Sequence, residues 1–465
     1  MKLNRSEVVF HPLSGVEARA HLFWWRGGLY RAIRNEHISF YEHLLSTGII
    51  RNLVRRKLLV ETEATDLELD GYGLVLKHQT VPFVSYCYEW CGEMLKAAAL
   101  SVLELETELL NDGVALVDLK PHNVLFVGTT PVWVDLGALC PLSDWESIGQ
   151  PYETFSAYFT RPLKIMAAGH SRIARCLLRD GNPGIEQREV QAIAGTESDE
   201  VIGTAKAGAK KIIPSPLHPF VRRVAQHLAH SLSSEAVPEP INIVKRAARD
   251  IEKICLVQPL RECSVHNGRA VFPDFTSTVD WTDKRRSILS VLSAKKPGSV
   301  LDTGSDRGWY AQLAARNGAR VISVGLNEAA VARLFSDAVA KALPILPLII
   351  DLRKINTLTA MTDAPSLTPA QRLRCDMVLA LGPIQHLAFT ASHFNLMVSH
   401  LSAFARKWLV IEFVARDDPH VEGWPDVRSS GYALDTLLAL LTKEFKTIEL
   451  FPSDSEKNRI LLCER

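Results

Sequence analysis

The chain has 465 residues, 47% of them hydrophobic and 23% charged, a length and balance that predict a globular protein of two or three domains. Its 53 Lys and Arg almost cancel 52 Asp and Glu, so no overall basic field points to nucleic acid or an acidic membrane as partner. No window reaches about 18 uninterrupted apolar residues, and the opening MKLNRSEVVFHPLSG lacks a signal-peptide core, so the sequence predicts a cytoplasmic protein with no membrane span. The eight Cys are scattered without a CxxC pair. Cys87 and Cys91 in YCYEWC are the closest two, and with no second Cys/His pair to complete a metal set they read as structural, reduced thiols.

In chain order, HLFWW and LYRAIR flank a Gly-Gly turn and predict a hairpin. A helical stretch follows near Ser39 to Val54, then strand-like runs over Gly73 to Gln79 and Phe83 to Trp90. Glu93 to Leu110, EMLKAAALSVLELETELL, joins good helix formers to an apolar stripe. It leads into LVDLKPHNVLFVGTTPVWVDLG, Leu116 to Gly137. There Asp118 precedes Asn123 by five residues and Asp135 follows twelve later, a spacing that resembles the catalytic loop and magnesium ligands of protein kinases.

That resemblance implies a truncated kinase-like α+β domain over residues 1–155, with Asp118 at the base position and Asn123 and Asp135 at the metal positions of a Mg-nucleotide site. Leu116 and Val117 replace the His and Arg of H-R-D, no G-x-G-x-x-G loop precedes them, and RAIR puts Arg34 at the lysine position. Phosphoryl transfer depends on holding the phosphates. The lobe therefore reads first as a relic with a scaffold or acceptor-docking role, next as a nucleotide or metal binder without turnover, and last as a kinase.

Residues 156–275 read as a mainly helical linker region, broken at Asp180, at the Gly/Ala-rich run from Gly195 and at SSEAVPEP from Ser233. Over 276–465 short apolar strands alternate with helices: KRRSILSVLSAKK, SVLDTG, WYAQLAARNG, ARVISVGL, EAAVARLFSDAVAKA, LPLIIDL, DMVLALG, a helix around Ser392 to Phe404, and WLVIEFV. This alternation predicts an α/β domain with a mostly parallel, Rossmann-like sheet whose ligand lies beyond the carboxyl ends of the strands.

In VLDTGSDRGWY, Asp302 ends a strand, Gly304 begins the turn with Ser305, and Gly308 opens the next helix. Glycines let a nucleoside approach the backbone, and an acid at the strand end accepts from an ammonium or hydroxyl. A dinucleotide fingerprint would need Gly where Asp306 stands. The order and wording of ARVISVGLNEAAVARL, LPLIIDL, DMVLALGPIQHLAF and LVIEFV resemble the class I S-adenosylmethionine-dependent methyltransferases of the NoeA-like family, whose members carry LDLGANTGWYS, LALALVHHL and LVIEFV. GLVLKHQTVPFVSYCYEW, PHNVLF and PVWVD extend the likeness into the N-terminal half.

The resemblance implies S-adenosylmethionine as cofactor and a small-molecule, saccharide or lipid-linked methyl acceptor. Gly325 stands where such enzymes place an acid on the ribose hydroxyls, leaving Asn327 or Glu328 to serve. Asp351 is the candidate adenine contact, or a surface Asp at a strand end. His386, in a Gln-His-Leu that replaces His-His-Leu, is the candidate general base or a packing residue, and Glu412 either supports the pocket or caps the sheet. The alternative to an enzyme is a degenerate ligand-binding or scaffold protein that keeps both folds.

Overall fold

The computed structural model describes residues 1–11, 19–147, 151–180, 184–195, 240–256, 275, 281–304, 308–352, 368–381, 391–418 and 433–465. In the N-terminal half, two short strands, β1 (Lys2–Leu3) and β2 (Val9–Phe10), precede the expected hairpin of β3 (Ala20–Trp25) and β4 (Gly28–Ile33). Arg26 and Gly27 carry positive φ, at 45° and 76°, the conformation that a two-residue hairpin turn needs. The predicted helix over 39–54 is two, α1 (Ile38–Ser46) and α2 (Ile49–Arg55), divided at Gly48, whose φ of 81° cannot continue the first.

Strands β5 (Thr62–Ala64), β6 (Glu68–Leu69) and β7 (Leu74–His78) follow, and the main sheet has the order β2-β3-β4-β7-β5. Phe83 to Trp90, expected as a strand, forms only a turn of 3-10 helix at Cys87–Glu89. Burial of Glu89 and Trp90 within the protein overrides the local β preference. Helix α3 (Gly92–Asn111) leads into β8 (Val114–Leu116), the hairpin β9 (Val124–Val127) and β10 (Thr130–Trp133), and β11 (Leu139–Pro141), which pairs with β8. The helices α4 (Pro151–Phe155), α5 (Arg161–Ala167), α6 (Ser171–Asp180), α7 (Gln187–Ala194) and α8 (Pro240–Lys253) follow, and much of the segment 156–275 lies outside the described residues.

The C-terminal half begins with α9 (Asp283–Lys295) and continues through β12 (Ser299–Asp302), α10 (Trp309–Arg316), β13 (Arg320–Gly325), α11 (Glu328–Ala340), β14 (Ile345–Ile349), the single-turn α12 (Pro369–Arg372), β15 (Cys375–Ala380), α13 (Ala391–Phe404), β16 (Ala405–Phe413), α14 (Leu434–Leu441), β17 (Thr447–Pro452) and β18 (Arg459–Glu464). The sheet order is β14-β13-β12-β15-β16-β18-β17, with β18 antiparallel to both its neighbours. Side chains alternate between faces: Leu301, Ile322 and Val378 join one core, while Val300, Val321 and Met377 join the other. Burial on both faces explains why these strands read as continuous apolar runs.

The first of those cores runs without interruption into the N-terminal half, from α3 and Trp90 through Phe126 to Phe335 on α11. Phe126 and Phe335 meet edge to face with centroids 6.1 Å apart. Beside them the Arg372 guanidinium forks onto the Glu89 carboxylate, Nη1 donating to Oε2 at 2.9 Å and Nη2 to Oε1, and Nη1 also reaches the Val84 carbonyl at 2.8 Å. Both side chains of the pair are almost fully buried.

Candidate functional site

The carboxyl edge of the seven-stranded sheet gathers most of the expected cofactor residues. Asp302, at the end of β12, is fully buried and accepts from Ser323 Oγ on β13 at 3.0 Å. The chain then turns at Gly304 with φ of 91°. A Cβ there would lie 2.3 Å from the Val324 carbonyl oxygen and 3.4 Å from Gly325 Cα. The glycine is thus required by the backbone of the next strand, which differs from the ligand contact that the sequence alone suggested. Gly308, with φ of 80°, caps α10, and a Cβ there would press on Leu334.

Beyond β13 the two residues expected to replace the missing ribose acid are engaged elsewhere. Asn327 caps α11, its Oδ1 accepting from the Ala330 N–H at 3.0 Å. Glu328 turns toward the N-terminal half, where Oε1 accepts from the Gly92 N–H at 3.1 Å and Oε2 pairs with Arg175 of α6. Leu326, just before them, is 55% exposed, an apolar side chain at the carboxyl end of β13. Asp351 is half-buried two residues past the end of β14, so it stands beyond that strand and does not close it. Ser305 and His386 lie outside the described residues.

Glu412, near the carboxyl end of β16, is buried and already partnered. Lys284 Nζ of α9 donates to Oε2 at 2.7 Å, and Ser453 Oγ donates to Oε1 at 2.9 Å. The same ammonium donates to the Leu381 carbonyl at 2.7 Å and lies 5.4 Å from the centre of the Tyr310 ring. Burial pushes the Glu412 carboxyl up, against the pull of Lys284 and Ser453. As held here it ties α9 to the sheet edge.

In the N-terminal half, Asp118 pairs with Lys120 at 3.1 Å, and Asn123 Nδ2 donates to the Asp118 carbonyl at 3.2 Å. Asp135 Oδ1 accepts from the Gly137 N–H at 2.9 Å and from Arg31 Nη2 at 3.0 Å. The cation that meets Asp135 is therefore Arg31, fully buried on β4. Arg34, which the RAIR match selected, reaches His21 Nε2 at 3.3 Å, and three residues along an extended run place the two arginines on opposite faces.

Arg31 Nε also donates to His78 Nε2 at 3.3 Å, and Thr62 Oγ1 lies 2.8 Å from Nδ1 of that ring. Burial, with the Arg31 charge beside it, holds His78 down at about 3, so the imidazole is neutral. A permanent guanidinium on Asp135 repels a dication, so these residues do not fit a magnesium site. Among the described residues no group of three or more His, Cys, Asp or Glu is arranged to hold a metal ion. No described helix is long and apolar enough to cross a membrane.

The strand order, with its one antiparallel member next to the edge and a glycine turn after β12, makes the C-terminal half a mostly parallel, Rossmann-like α/β domain. No family profile matches the chain. The nodulation protein NoeA of Rhizobium meliloti (strain 1021) is 23% identical over 440 residues, covering 90% of this chain and 88% of that protein. Among solved structures, magnesium protoporphyrin IX methyltransferase (ChlM) from Synechocystis PCC 6803 with bound SAH is 19% identical, covering 39% of this chain and 81% of that one with a TM-score of 0.29. The N-methyltransferase NodS from Bradyrhizobium japonicum WM9 is 14% identical, covering 39% and 92%, with a TM-score of 0.29.

Proposed function

We propose that this protein is an S-adenosylmethionine-dependent methyltransferase acting on a small-molecule, saccharide or lipid-linked acceptor. The observation that carries the reading is the turn after β12, where Gly304 packs on the Val324 carbonyl at the carboxyl end of the sheet, with buried Asp302 before it and exposed Leu326 just past β13. The N-terminus of α10 follows this turn, and a helix N-terminus favours a carboxylate. Leu326 offers an apolar face to an adenine ring, and Asp351 an acceptor to its amine. When bound, the cofactor supplies an electrophilic methyl group. His386 is the candidate base for the acceptor's proton, with Glu412 and Lys284 fixing the pocket floor.

On this reading the N-terminal half is a kinase-like lobe without turnover that serves as scaffold or docking surface. Arg31 on Asp135 and the missing glycine-rich cover support that view. The second reading, a degenerate binding protein, is favoured by the engagement of Asn327 and Glu328 away from the ribose side. Calorimetric titration of the intact chain with S-adenosylmethionine and its demethylated product tests the proposal. One-site binding that is abolished by Gly304→Val is expected, since the branched side chain would force Val324 aside. Absence of heat from the wild type contradicts it.

A further inference from the structure

The residue that departs most from the methyltransferase pattern stands where it can set ligand specificity. In α/β nucleoside sites an acid some 20 residues after the first glycine of the turn holds the ribose hydroxyls. Here that place is the end of β13, and the geometry confirms the proximity: a Cβ on Gly304 would lie 3.4 Å from Gly325 Cα. Gly325 has no side chain to offer. Asn327 Oδ1 is bonded to the Ala330 N–H within its own helix, and both Glu328 oxygens are turned onto Gly92 and Arg175. The only other side chain in the run from Gly325 to Glu328 belongs to Leu326, which is apolar. From Gly325 to Glu328, then, no side chain presents an uncommitted acceptor to a ribose.

We propose that Gly325 makes the nucleoside site indifferent to the ribose 2′- and 3′-hydroxyls, so that the ligand is selected by its adenine and its amino-acid end. The inference rests on the methyltransferase reading above. It also predicts a gain of function, because the structure leaves room for the missing acid. A Cβ on Gly325 would meet only Val331 Cγ2, at 3.6 Å, an ordinary contact, and Gly325 is not among the glycines with positive φ. A carboxylate at this position would stand at the carboxyl end of β13, the place of the missing acid, to accept from both hydroxyls.

The test compares S-adenosylhomocysteine with its 2′-deoxy analogue by calorimetry on the intact chain. Wild type should bind the two within about threefold, since no charged hydrogen bond is lost. Gly325→Asp should bind S-adenosylhomocysteine more tightly and discriminate against the deoxy analogue by about tenfold or more, the worth of a hydrogen bond to a carboxylate. If the wild type binds S-adenosylhomocysteine but rejects the deoxy analogue tenfold or more, another group reads the ribose and the inference falls alone. If neither nucleoside binds, the methyltransferase reading falls and takes the inference with it. Should Gly325→Asp fail to fold, the wild-type comparison still decides.

Discussion

Glu106 offers a test of the N-terminal core that needs no ligand. It is fully buried in α3, where Oε2 accepts from the Leu116 N–H at 3.0 Å and Oε1 accepts from the Tyr152 hydroxyl at 3.3 Å. No basic side chain is among these partners. Burial therefore outweighs the two hydrogen bonds and raises its pKa from 4.5 to about 8. Between those pH values the folded chain keeps a proton that the unfolded chain has released. The stabilising contribution is thus complete below about pH 4.5 and is lost as pH rises toward about 8, a change of about 5 kcal/mol at about 1.4 kcal/mol per pH unit.

Glu106→Gln imitates the protonated acid, with its oxygen accepting from Leu116 and its amide donating to Tyr152. Urea unfolding followed at pH 5 and pH 8.5 should give similar midpoints for both proteins at the lower pH. At the higher pH the variant should be more stable by about 3–5 kcal/mol. Equal pH dependence in the two proteins would mean that Glu106 is ionised in the folded chain and that burial does not control it.

The ion pair between the halves yields a second prediction: Glu89→Leu strands a buried guanidinium and should destabilise the intact chain by about 3–5 kcal/mol, whereas Glu89→Leu with Arg372→Met should recover most of that in thermal melts. A double variant as unstable as the single one would show that packing, not the unpaired charge, is responsible. ATP hydrolysis should stay at background in the wild type, and steady turnover that disappears in Asp118→Asn would restore the kinase reading. Once an acceptor is identified, His386→Asn should lower kcat by about 10²–10⁴ with S-adenosylhomocysteine affinity unchanged, and weakened cofactor binding would make His386 structural.

The C-terminal fold was legible because each element carried its own period. Buried stretches such as SVL in β12 and MVLA in β15 are short apolar runs, and Gly318, with φ of 90°, follows the last turn of α10. The site was legible only in its glycines. Neither Asn327 nor Glu328 carries a local mark of its partner: one bonds within the following helix, and the other reaches Gly92 across 236 positions of chain. Arg372 and Glu89 are 283 positions apart and could not be paired by any spacing rule. Arg31 was recoverable, since alternation along β4 separates it from Arg34, but choosing between them required knowing which face of the sheet meets Asp135. The failed strand at Phe83 to Trp90 has the same origin, a local β preference overruled by burial that only the assembled halves create.

Hydrogen exchange of the intact chain with and without S-adenosylhomocysteine tests the central claim most directly, because backbone protection reports where the nucleoside sits. The account predicts slowed exchange in peptides covering Asp302 to Gly308, Gly325 to Glu328 and Asp351, with the loop from Asp118 to Asp135 unchanged. Protection confined to that loop, or none anywhere at saturating ligand, would contradict it.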